Sequence, residues 1–78
     1  MNDREKSIHA ALGVAAFRLR SAAVYVENMQ EAIRERAPEQ YVVAARGAAE
    51  DCRVVSDSVS EADRLFDTEI KESGVTIQ

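Results

Sequence analysis

Ile33-Arg34-Glu35-Arg36-Ala37-Pro38-Glu39-Gln40-Tyr41 lies at the middle of the 78-residue chain and holds its one proline. Proline pushes the residue before it out of the α region, so Ala37 is expected to be non-helical. Pro38 itself suits the first position of a new helix, where its missing N–H costs nothing. Glu39, in that helix's first turn, suits the positive end of the helix dipole. The stretch therefore reads as the end of one helix and the start of another.

Working outward, the apolar residues repeat with a 4-3 spacing on both sides. Upstream, the stripe is Ile8, Leu12, Ala15, Leu19, Ala22, Val26, Met29 and Ile33. Downstream it is Tyr41, Ala45, Ala48, Cys52, Val55, Val59, Ala62 and Phe66, and no charge interrupts either one. Such a repeat is the a/d seam of a coiled coil. Folding the chain at Ala37 pairs the stripes layer by layer, from Ile33 with Tyr41 out to Ile8 with Phe66. Most layers set a larger residue against a smaller one, which fills a seam without voids. Asn2 or Asp3 can cap the first helix, and Ser73-Gly74 offers a glycine stop for the second.

The expected fold is therefore all-α, with residues 1–78 forming a single antiparallel helical hairpin. Helix 1 spans about 3–36, the turn lies at 37–38, and helix 2 spans about 38–72. The tail 73–78, including Val75 and Ile77, reads as extended or disordered. A rival reading breaks helix 2 at Ser58-Val59-Ser60-Glu61, which has the form of a capping box, and gives a three-helix bundle. The unbroken stripe through Val55, Val59 and Ala62 favours the hairpin.

The two helices differ in what lies behind the seam. Helix 2 carries Arg46, Glu50, Arg53, Asp57, Ser60, Glu61, Arg64, Asp67 and Lys71. Helix 1 carries Ala11, Ala16, Phe17, Ala23, Val24, Tyr25 and Ala32, and a helix apolar most of the way round is a buried one. Helix 1 is thus expected at the centre of a homodimeric four-helix bundle, with Ala16, Phe17, Ala23, Val24 and Tyr25 in the dimer interface. A chain this short is also marginal alone. One cysteine and one histidine supply neither a disulfide framework nor a zinc site.

Charge and motifs bound the function. Residues 1–49 hold seven Lys/Arg against six Asp/Glu, and residues 50–78 hold three against eight, for a net charge of −4 overall. That balance opposes direct nucleic-acid binding, which needs concentrated positive charge. No apolar run approaches the roughly 20 residues of a membrane span, and no secretory signal is evident. Cys52, placed in the seam opposite Ala22, is expected to be buried and inert, and a lone cysteine suits a reducing, cytoplasmic setting. Carboxylate pairs at Asp57/Glu61 and Asp63/Asp67 read as solvated helix surface. No phosphate loop or nucleophile motif is present, so no catalytic residue, metal ligand or cofactor is assigned.

The expectation is a non-enzymatic, acidic protein-interaction module. It binds itself as a homodimer and binds another protein that it regulates, inhibits or assembles. Asp57, Glu61 and Arg64 are candidate partner contacts. By analogy alone, compact acidic helical proteins of this kind occur among phage and mobile-element inhibitors of host machinery. Two alternatives are a nucleic-acid mimic that fills a basic cleft and a bundle that sequesters a small anion. In the latter Arg18 and Arg20 with Arg34 and Arg36 would hold the anion, although Glu31, Glu35 and Glu39 can pair with the last two.

Overall fold

The computed structural model describes residues 2–74. Two helices account for nearly all of them: α1, Asp3–Arg34, and α2, Pro38–Ser73. They pack as an antiparallel hairpin whose extents are 56 × 24 × 13 Å. The 13 Å dimension is one helix with its side chains, so no third layer covers either broad face. Among the described residues no helix is long and apolar enough to cross a membrane. Of the expected tail 73–78, Ser73 belongs to α2 and Gly74 caps it, while residues 75–78 lie outside the described residues.

Each end of α1 has a local cause. The Asn2 side chain accepts from the Glu5 N–H at 2.8 Å, and the Asn2 N–H donates to Glu5 Oε1 at 3.2 Å, a complete capping box. At the other end Arg36 takes a left-handed conformation, φ 54°, while its N–H reaches the Ile33 carbonyl at 3.2 Å. The Ala37 N–H reaches the Ala32 carbonyl at 2.9 Å. These two bonds form a Schellman motif with arginine in the position glycine usually takes. The helix thus stops at Arg34, two residues before the expected boundary, because reversal over so short a turn needs a left-handed residue ahead of the proline. Helix α2 begins at Pro38 and ends on Gly74, φ 76°, as the glycine stop predicts. It runs unbroken through Ser58, which excludes the three-helix alternative.

The seam differs from the expected one. Buried positions in α1 are Ala15, Ala22 and Ala32, and in α2 Ala44, Ala48, Asp51 and Ala62. Half-buried Ile8, Ala11, Arg18, Tyr25 and Met29 complete the α1 line, and Val55, Ser58, Leu65 and Glu69 the α2 line. Ile8, Ala15, Ala22 and Met29 were expected there. Leu12, Leu19, Val26 and Ile33 were also expected, and the residue before each takes its place. In α2 the same step replaces Ala45, Cys52, Val59 and Phe66 with Ala44, Asp51, Ser58 and Leu65, while Tyr41 at the turn stays exposed. With 100° between successive residues, both helices are turned by about 50° from the expected phase.

Tyr25 and Gly47 show why. A Cβ on Gly47 would lie 2.5–2.7 Å from the Tyr25 ring, so the ring rests directly on the bare backbone of α2. That socket, with alanine at every buried seam position named above except Asp51, lets the two axes approach closely. Larger side chains at those positions would hold them apart.

Candidate interaction surfaces

The seam is tied at two places by charge. Arg18 Nη1 donates to Asp51 Oδ1 at 2.9 Å, and the Asp51 side chain is only 3% exposed. Among the described residues Asp51 Oδ2 is buried without a hydrogen-bond partner. The Ser21 hydroxyl first, and Arg18 second, hold the Asp51 carboxyl below the ordinary carboxylate range, against the opposing effect of burial. Ser21 acts by proximity and polarity, since Oδ2 gains no full hydrogen bond from it. At the open end Arg4 bridges Glu69 at 2.9 Å and Glu72 at 2.6 Å, while Asn2 Nδ2 donates to Glu69 at 3.1 Å. These contacts fix the axial level of α1 against α2.

Two flanks of unlike chemistry follow from the seam. In an antiparallel pair the same heptad position of both helices meets on the same side. Residues just after Ala11, Arg18, Tyr25 and Ala32 therefore share a flank with those just after Ala44, Asp51, Ser58 and Leu65. With the next column outward, this flank between His9 and Phe66 has sixteen positions. They are His9, Leu12, Ala16, Leu19, Ala23, Val26, Gln30 and Ile33 on α1, and Val42, Ala45, Ala49, Cys52, Ser56, Val59, Asp63 and Phe66 on α2. All are exposed except the half-buried Ala16 and Ala45. Asp63 is the only formal charge among them, in a chain that is 31% charged. At the turn this flank runs into an open recess of about 460 Å³ lined by Ala32, Ile33, Arg36, Ala37, Pro38, Tyr41 and Val42.

The opposite flank has Val14, Phe17, Ser21, Val24 and Asn28 from α1, and Val43, Gly47 and Val54 from α2. Glu31, Glu50, Asp57, Glu61 and Arg64 are interspersed with them. An open groove of about 490 Å³ near the turn is lined by Tyr25, Asn28, Glu31, Glu39, Gln40, Val43 and Ala44.

The five residues expected in a dimer interface are thus divided. Ala16 and Ala23 stand on the uncharged flank, Phe17 and Val24 on the charged one, and Tyr25 turns inward onto Gly47. Cys52 is exposed, not buried in the seam, because the rotation that puts Asp51 inside carries Cys52 out. The candidate partner contacts Asp57, Glu61 and Arg64 are exposed and engaged on their own helix. Arg53 binds Glu50 at 2.5 Å and Asp57 at 3.0 Å, and Arg64 binds Glu61 at 2.5 Å. Their arginines hold the Glu50 and Glu61 carboxyls below the usual range. Arg18 faces Asp51 and Arg34 faces Glu31, so two of the four arginines considered for an anion already have carboxylate partners. Among the described residues no group of three or more His, Cys, Asp or Glu side chains is placed to hold a metal ion.

Sequence reasoning missed Asp51 as a seam residue and the uncharged flank as a surface. The signal for the flank was present in the single charge, Asp63, among these sixteen positions, but the large apolars had been assigned to the seam. No family model matches the chain, and no curated protein or solved structure does either.

Proposed function

We propose that this chain is a non-enzymatic protein-interaction module that works as a subunit of a homodimeric four-helix bundle. One observation carries the reading. Among the described residues the buried apolar ones are six alanines, no large side chain is completely buried, and twelve large apolar residues are exposed. A monomer rarely exposes apolar surface on this scale without a partner for it. An alanine seam alone is too small a core to offset the ordering of some seventy residues.

In such a bundle one flank is covered and the other stays open to a further protein that the dimer regulates, inhibits or assembles. The charged flank, with Asp57, Glu61 and Arg64 beside Phe17 and Val24, is the surface suited to that second role. An exposed Cys52 fits a reducing, cytoplasmic compartment. Glu50, Asp57 and Glu61 face arginines of their own helix, which weakens the case for a nucleic-acid mimic. Sedimentation equilibrium with circular dichroism across a dilution series tests the reading. Assembly and helicity should be lost together on dilution. A chain that stays monomeric and fully helical at micromolar concentration would refute it.

A further inference from the structure

We propose that a second copy of this chain covers the uncharged flank, turned end for end, so that α1 lies along the partner's α1 and α2 along its α2. This rests on the bundle reading above and specifies which surface makes the bundle and in what register.

Charge is the first argument. Each copy carries a net charge of −4, so self-association through a charged surface would be opposed. The uncharged flank presents one carboxylate, Asp63, at its outer column, whereas five of the thirteen residues named on the other flank are charged. Area is the second argument. The flank is about 35 Å long and two helices wide, on the order of 700 Å². A standard interface buries about 800 Å² per partner.

Shape decides the register. On α2 the stretch from Ala45 through Ala49 to Cys52 is small, with Val42 before it at the turn, and the large residues toward the open end are Val59 and Phe66. Turning the second copy end for end brings Phe66 over Ala45 and Val59 over Cys52. The level of α1 beside α2 is already set by Tyr25 on Gly47 and by Arg4 with Glu69. At that level the same rotation brings Leu12 over Ala23 and Leu19 over Ala16. One two-fold operation thus sets large against small in these four layers, the complementarity a close-packed core requires. Stacking the hairpins turn to turn would instead crowd Leu12 against Val59 and Phe66.

The test uses two matched pairs and one cross-link. Leu19→Glu with Val26→Glu changes the uncharged flank, and Phe17→Glu with Val24→Glu makes the same charge change on the opposite flank of the same helix. By sedimentation equilibrium the first pair should weaken self-association by about 100-fold or more, and the second by less than about threefold. Ala45→Cys with Phe66→Cys, in a Cys52→Ser chain, should oxidise to a covalent dimer that remains helical. Within one chain these cysteines are about 30 Å apart and cannot join. This readout does not depend on the folding of a separated monomer. A wild-type chain that is a helical monomer overturns both the bundle and this surface, including the case in which a different protein covers the flank. A wild-type dimer dissociated only by the Phe17/Val24 pair overturns this surface and leaves the bundle standing. A wild-type dimer that yields no covalent dimer from the engineered cysteines overturns the end-for-end register.

Discussion

A single methyl group at position 47 would distinguish this hairpin from one in the expected phase. Alanine is the better helix former by about 1 kcal/mol, so Gly47→Ala should stabilise α2 if nothing touches it. The Tyr25 ring stands where that methyl would go. Gly47→Ala should therefore lower the melting temperature, with overpacking of about 1–3 kcal/mol outweighing the propensity gain. In a Tyr25→Ala chain the same change should turn stabilising, a reversal that a double-mutant cycle by thermal denaturation reads directly. The turn makes an opposite test. Arg36 holds a left-handed φ of 54°, which costs an L-residue about 1–2 kcal/mol. Arg36→Gly should raise stability by about 1 kcal/mol in urea denaturation, after allowing for glycine's greater unfolded entropy. An unchanged midpoint would argue against the Schellman geometry.

At the scale of the helix pair, the alanine line permits close approach but distinguishes poorly between one register and the next. Arg18 with Asp51 supplies that distinction, since a slip would leave a buried carboxylate facing alanine. The open-end cluster of Arg4, Asn2, Glu69 and Glu72 pins the same level from the other side. Because the Asp51 carboxyl is held below its ordinary value, the folded state binds that proton less readily than the unfolded chain. Its stabilising contribution is present above the unfolded value of about 3.9 and is lost as pH falls through the lower folded value. Asp51→Asn should thus be less stable than wild type at pH 7, and the gap should narrow as pH falls below about 3.9. Urea denaturation of both chains from pH 7 to pH 2.5 measures it. A gap constant across that range would show that Asp51 acts through shape and not charge.

For the molecule as a whole, the thickness of one helix means that burial of the large side chains depends on another molecule. Cys52 reports on that event. It is exposed on the hairpin and lies under Val59 of the second copy in the proposed register. Its labelling by a thiol reagent should be rapid in dilute protein and should slow as concentration rises through the range of assembly. Labelling at one rate at all concentrations would count against a covered flank. Full protection in a folded monomer would return Cys52 to the seam, where the 4-3 repeat had placed it.

The amino-acid sequence by itself determined the helical hairpin. Proline at position 38 and the two unbroken 4-3 repeats favour it over the three-helix rival that the capping box at Ser58 offered. The boundaries near Asp3, Pro38 and Gly74 followed from caps and breakers that act within a few residues. The phase of the seam was decided only in the tertiary structure. Where apolar residues cover more than half of α1, periodicity marks a helix with apolar surface to cover but not which arc meets which neighbour. Choosing between Ala11 and Leu12, or between Asp51 and Cys52, depends on how closely the axes approach. That approach depends on Tyr25 meeting Gly47, twenty-two residues away, and on the left-handed Arg36 that aims α2. Contacts across such separations leave no local trace in the pattern, and the candidate surface changes with them because the residues released from the seam are the ones that form it.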